Sequence, residues 1–155
     1  MKRLLMPLAL LPALAFGGDL EQFPDGKTRS LTQFDAPVRV LNVWATWCAP
    51  CRKEMPAMSA WYKKQKKGSV SLIGAAIDRA ENIENFLKTT PVSYPVWRYT
   101  GKDTRGFMKS LGNQAGVVPY TLVEKQGCSF KQSITGEVTA AKLNAAVAKV
   151  KKQCR

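Results

Sequence analysis

No histidine occurs in this sequence of 155 residues, and acidic side chains are scarce: 11 Asp and Glu stand against 24 Lys and Arg. Without imidazole, a metal site would rely on cysteine, and zinc sites of that kind usually bring two close pairs together. This chain has one close pair, Cys48 and Cys51; Cys128 and Cys154 lie 26 positions apart. No metal and no cofactor are therefore expected. Long apolar runs are missing too. Residues 4–16 form a run of 13, short of the roughly 20 needed for a typical membrane-spanning helix. No cysteine precedes Cys48, which argues against a lipid-anchored cysteine near the N-terminus. No internal repeat or low-complexity stretch is present, so the length fits one domain large enough to bury a core.

The shortage of acids leaves a formal charge of +13. Such a balance can indicate nucleic acid, an anionic membrane surface or an acidic partner. The cations, however, are scattered. "YKKQKKG" (62–68) and "KVKKQCR" (149–155) fall at expected helix ends, where positive charge favours the macrodipole. Neither run interleaves aromatic rings with basic residues as a base-stacking surface does. Both read as solvated faces, and no nucleic-acid partner is expected.

The N-terminus has a recognisable order of parts. Lys2 and Arg3 make a basic head, residues 4–16 an apolar stretch, and Gly17-Gly18 a small-residue site. That is the order of a secretory signal peptide. Residues 1–17 are expected to be this signal and 18–155 the domain, with no stable membrane insertion after cleavage. An uncleaved N-terminal anchor helix is the alternative. Four cysteines in an exported chain suggest two pairs, and three pairings are open.

Periodicity gives the element order. "FPDGKT" (23–28) marks a tight turn before a short strand. "VRVLNVW" (38–44) and "SVSLIGAAI" (69–77) are apolar and β-branched, the pattern of buried strands. Residues 49–67 read as a helix with Pro50 in its first turn and Pro56 in its interior, where a kink is expected. Residues 79–90 form an amphipathic helix carrying Ile83, Phe86 and Leu87 on one face. "YPVWRY" (94–99) reads as a short edge strand and residues 103–112 as a helix stopped by Gly112. "PYTLVE" (119–124) and "CSFKQSIT" (128–135) form a hairpin about the turn at Gly127. Residues 139–153 make the last helix, with Thr139 as N-cap. Strands alternating with helices and ending in a hairpin predict an α/β fold with a central mixed sheet flanked by helices.

Cys48 falls between a strand and a helix, at the helix N-terminus. There a thiolate faces unsatisfied backbone N–H groups and the positive end of the dipole, which favours it as the nucleophile. Cys51 lies almost one turn further on, within reach to resolve a mixed disulfide. The residues thus suggest a redox pair; two inert buried thiols would belong on the apolar face of the helix.

"WATWCAPCRKEMP", with "GVVPYTLV" downstream, resembles the thioredoxin fold and, within it, the exported thiol–disulfide oxidoreductases of the TlpA/ResA-like family. The resemblance covers residues 23–149 in element order. It implies that Pro119 is cis and faces the cysteine pair, and that the backbone of Val118 pairs with substrate peptide. It also implies periplasmic export. Thioredoxin has a buried Asp six positions before its nucleophile; here the residue is Asn42. Glu54, three positions after Cys51, then becomes the proton acceptor, the alternative being an ordinary surface helix acid. Trp47 is expected to cover the edge of the site, Trp44 to be core, and Met55 and Met58 to be packing.

Cys128 and Cys154 depart from that family's pattern, and a second redox relay or a structural bridge are both open to them. Their positions favour the bridge. A strand of about seven residues from Cys128 spans ~23 Å, and about fourteen residues of helix return ~21 Å. The helix end then meets the strand start on the far side of the sheet from Pro119. The expected activity is a dithiol reductase of disulfides in exported proteins. Apocytochrome maturation and supply of electrons to a repair enzyme are the candidate settings, with electrons drawn from a membrane thiol donor. A disulfide-donating oxidase and a non-catalytic binding protein are the alternatives.

Overall fold

A computed structural model describes residues 18–155; the expected signal segment lies outside them. Seven strands and four helices follow one another as β1 (Leu20–Phe23), β2 (Thr28–Arg29), β3 (Val38–Trp44), α1 (Ala49–Lys63), β4 (Val70–Ala76), α2 (Ala80–Thr89), β5 (Val96–Tyr99), α3 (Thr104–Ser110), β6 (Tyr120–Lys125), β7 (Lys131–Thr135) and α4 (Ala140–Gln153). They build one mixed sheet in the order β2-β1-β5-β4-β3-β6-β7.

Every residue of β3 and β4 is buried. These two strands are parallel and central, as their unbroken apolar runs require. The alternation of side chains along β3 then sorts the helices. Val38 and Val40 pack with Met58 and Trp61 of α1 and with Leu143, Val147 and Val150 of α4. Leu41 and Val43 face the other way, against Phe107, Met108 and Leu111 around α3. Trp44 ends the strand and meets Ile83 and Phe86 of α2. Arg39 and Glu124 are partners across β3 and β6 and form a buried ion pair, with the Arg39 Nε donating to Glu124 Oε1 at 3.1 Å.

Two expectations are corrected. The strand at β5 is not at an edge, because β1 pairs with it antiparallel over all four residues, from Leu20↔Tyr99 to Phe23↔Val96. The last strand is shorter than its apolar pattern implied. It starts at Lys131, and Cys128 sits before it in the turn that follows Lys125. Other features match. Thr139 caps α4, its hydroxyl accepting the Lys142 N–H. Gly127 and Gly112 hold positive φ at the turns assigned to them. Helix α1 continues through Pro56 as one element but ends at Lys63, short of the expected Lys67.

Candidate active site

The carboxyl end of β3 and the amino end of α1 meet at Cys48. Its backbone is extended (φ −89°, ψ 102°), and its sulfur accepts the Cys51 N–H at 3.3 Å, so the cysteine is itself the helix N-cap. That N–H and the helix dipole favour negative charge on Cys48 Sγ. Cys48 and Cys51 form a disulfide with their Cα atoms 5.3 Å apart. Cys51 is fully buried and Cys48 nearly so.

Asp78, at the end of β4, holds the segment before Cys48. It accepts hydrogen bonds from the Thr46 N–H (3.0 Å) and hydroxyl (2.5 Å), from the Arg79 N–H and from Asn82 Nδ2. Burial by itself would raise the Asp78 carboxyl, but these bonds outweigh it and leave it below its ordinary value. Arg52 closes the segment from α1 by donating to the Thr46 carbonyl at 2.7 Å.

The loop before β6 forms the other wall. The Val118–Pro119 peptide is cis. Val118 packs against the apolar cluster that contains both Cys48 and Cys51. It lies outside β6, which begins at Tyr120, so its main chain is not part of that strand's ladder. Asn113, itself buried, fixes this loop: its Nδ2 donates to the Val117 carbonyl at 2.7 Å, and its Oδ1 accepts the Gly116 N–H at 3.1 Å. Among the described residues, the exposed large hydrophobics are Trp47 at 66% and Val117 at 43%. One adjoins Cys48 in sequence and the other adjoins Val118.

Glu54 is not a surface acid; it is 1% exposed. One carboxyl oxygen accepts from Asn42 Nδ2 at 2.8 Å and the other from the Val138 N–H at 2.7 Å. Asn42 Nδ2 also donates to Thr121 Oγ1 at 3.1 Å, tying β3 to β6 below α1. Burial pushes the Glu54 carboxyl up to about 7, against the opposing pull of the Val138 and Asn42 hydrogen bonds. Residues three apart on a helix share a face, so this carboxyl stands one turn behind Cys51.

The second pair lies at the other end. Cys128 and Cys154 form a disulfide with Cα atoms 5.8 Å apart. Pro119 stands at the start of β6 and Cys128 beyond its end, a strand length of roughly 17 Å away. The Lys125 ammonium donates to the Cys154 carbonyl at 2.5 Å beside the bridge.

Sequence reasoning missed Asp78, Asn113 and Val117. Asp78 did leave a signal: an acid directly between a buried strand and a helix start is well placed to accept backbone N–H groups. Asn113 follows the glycine that stops α3, a loop position where its amide can bond nearby backbone.

A strand–helix junction carrying an oxidised Cys-x-x-Cys pair, facing a cis-proline loop across the sheet end, defines a thioredoxin-fold thiol–disulfide oxidoreductase. Residues 13–123 match the AhpC/TSA family. The thiol-disulfide oxidoreductase ResA of Bacillus thuringiensis subsp. konkukian is 33% identical over 130 residues, 81% of this chain and 70% of that protein. The crystal structure of a thioredoxin-related protein from Neisseria meningitidis serogroup B is 56% identical with a TM-score of 0.82, covering 86% of this chain and 98% of that one. A thioredoxin family thiol:disulfide interchange protein from Chlorobium tepidum is 26% identical with a TM-score of 0.64, covering 90% and 99%. The chain belongs to the AhpC/TSA family, in the ResA-like group of thiol–disulfide oxidoreductases. Among the described residues, no helix is long and apolar enough to cross a membrane.

Proposed function

We propose that the protein is a periplasmic dithiol reductase acting on disulfides of exported proteins. Maturation of apocytochromes and the reduction of a repair enzyme are the two settings that fit such a substrate, and a membrane thiol carrier returns the electrons. The reading of export rests on the basic head and apolar run of residues 1–17. Trp47 and Val117 offer apolar surface, and Val118 a main chain outside the β6 ladder, on which a substrate peptide docks.

The Cys48 thiolate attacks one sulfur of the substrate disulfide, forming a mixed disulfide and releasing a substrate thiolate. Cys51 then gives its proton to Glu54 and attacks Cys48 Sγ. The Cys48–Cys51 bond forms, the mixed disulfide breaks, and the second substrate sulfur leaves. The two substrate thiolates take up two protons, one of them returned through Glu54. The substrate gains two electrons and the cysteine pair is oxidised.

The observation that favours reduction is the buried Glu54 beside the pair. Strong oxidants are those whose reduced form is stabilised. A carboxylate in this place disfavours thiolate by like charge and so works against that stabilisation. Equilibration with glutathione tests the direction. A reductase should titrate near or below roughly −230 mV; a value near −120 mV would belong to the oxidase alternative.

Glu54→Gln tests the proton acceptor. Reduction of a model disulfide at pH 7 should slow by about tenfold or more, and its pH profile should lose the step near 7 that Glu54 supplies. Stability should respond with a definite sign. The folded carboxyl binds its proton more tightly than the unfolded one, so stability falls as pH rises from the ordinary value of 4.5 to about 7. The Gln variant should lack that fall. If neither the rate nor the pH dependence changed, Glu54 would have no part in the exchange.

A further inference from the structure

The two basic runs that read as separate solvated faces come together in the fold. Helices α1 and α4 lie side by side and run in the same direction. The Val138 N–H, just before α4, bonds Glu54 of α1, and further along both helices Trp61 Nε1 donates to Asn144 Oδ1 at 2.7 Å. Both helices therefore end near the amino end of β3. The register defines that end of the sheet: Val38 of β3 pairs with Val70 of β4 on one side and with Lys125 of β6 on the other. Lys66 and Lys67 lie in the link that enters β4 at Val70. Across the row, the Lys125 ammonium bonds the Cys154 carbonyl, and the Cys128–Cys154 bridge fastens the end of α4. Lys63, Lys64, Lys66 and Lys67 thus share one pole with Lys151 and Lys152. All six are exposed, and among the described residues none is in an ion pair. Acids are few at this end. Asp35 lies exposed just before β3, and the buried Glu124 is already shared by Arg39 and Lys131. Asp78, Glu81, Asp103 and Glu137 instead follow the carboxyl ends of β4, β5 and β7, which point the same way as β3 towards Cys48.

We propose that this lysine pole docks the protein on a bilayer containing anionic phospholipid, with Cys48 and Cys51 facing away from the lipid. Helix ends alone do not account for the cluster. The macrodipole favours cations only within the last turn. That covers Lys63, Lys151 and Lys152, whereas Lys66 and Lys67 lie beyond α1. Like charges gathered on one face raise the local potential and draw an outside anion. The residue types then select the partner. Lysine is a hydrated point charge without the planar fork that matches a fixed carboxylate geometry. It is depleted in protein interfaces, whose anchors are aromatic rings and arginine. Among the described residues, the exposed large hydrophobics are Trp47 and Val117, both at the opposite end. The pole therefore offers no apolar anchor to a protein and no ring to a base. A fluid layer of anionic headgroups demands neither. Attachment of this kind is electrostatic, reversible and without insertion, and it grows with each lysine near the surface.

Protein purified as the cell exports it should sediment with vesicles holding about 30% phosphatidylglycerol in phosphatidylcholine, and far less with phosphatidylcholine alone. Raising salt from about 25 to about 250 mM should weaken that binding tenfold or more. Changing Lys66, Lys67, Lys151 and Lys152 together to Gln should weaken it on the order of 10²-fold. The same charge removed elsewhere, by Gln at Arg79, Lys102, Arg105 and Lys109, should change it by less than about threefold. Reduced Cys48 should react with a soluble thiol reagent as fast on the vesicles as in free solution. Equal binding to the two vesicle types would overturn the proposal, and soluble polyglutamate bound in their stead would assign the pole to an acidic protein. Equal losses in the two Gln variants would show that net charge, not the pole, carries the binding. Protection of Cys48 on the vesicles would put the lipid at the wrong end and overturn the orientation.

Discussion

Cys51→Ala protein, expressed in a cell that exports it, should accumulate disulfide-linked complexes with its substrates, and dithiothreitol should release them. Cys48 caps α1 and can still attack a substrate sulfur. Removal of Cys51 leaves the mixed disulfide with no internal thiol to resolve it. Turnover with a model disulfide should fall on the order of 10³-fold. The fold should survive, since the substitution removes one small buried sulfur from a cluster that also includes Trp44, Met55, Ile83 and Val96. The same variant separates the directions of electron flow, because it cannot hold the internal disulfide that an oxidase donates. Capture of an apocytochrome would place the protein in haem-protein maturation, and capture of a methionine sulfoxide reductase would place it in repair. A folded Cys51→Ala protein whose Cys48 labels with a small thiol probe, yet traps nothing, would end the reductase reading and leave the binding and oxidase alternatives, which the glutathione equilibrium of the unaltered protein separates.

Replacing Cys128 and Cys154 together by serine should lower stability by ~3.5 kcal/mol in the chain-entropy account of a bridge spanning 26 positions. For a domain of this size the melting temperature should drop by roughly 10 °C. Disulfide reduction should continue at temperatures where the variant is folded, because the bridge stands a strand length from Pro119. Denaturation by heat and by urea checks the first part, and the glutathione equilibrium of Cys48 and Cys51 checks the second. A variant of unchanged stability, or one whose active pair shifted its equilibrium, would show that the bridge is not a purely structural staple.

The parts of this molecule legible in the sequence were those set by neighbouring residues. Cys48 at a helix start follows from a buried strand running into Pro50 and a helical stretch. The turn at Gly127 and the cap at Thr139 are likewise local. The pairing of Cys128 with Cys154 followed from rise per residue, although the strand was drawn three residues too long. "CSF" continues the apolar pattern, but Cys128 is committed to the turn, where its N–H bonds the Lys125 carbonyl. The position of β5 was not legible. Its outer partner is Leu20–Phe23, more than seventy residues earlier, and four residues in a turn-rich stretch carry little signal of so distant a pairing. The burial of Glu54 was hidden for a similar reason. Helical spacing placed it on a face with Cys51, but whether that face meets solvent depends on Val138, eighty-four positions on. Asp78 and Asn113 were overlooked because their value lies in the loops they immobilise, and both loops become an active site only when β3, β4 and β6 lie side by side.

The distance between the two disulfides bears on how the protein survives its own thiol chemistry. Within one molecule the Cys48 sulfur has no path to the Cys128–Cys154 bond, because the length of β6 separates them. Attack on that bond therefore requires a collision between two copies, and its rate scales with the square of the protein concentration. At low protein concentration such scrambling is slow, so a molecule cycling through its dithiol state keeps its staple intact without needing that bond to be chemically inert.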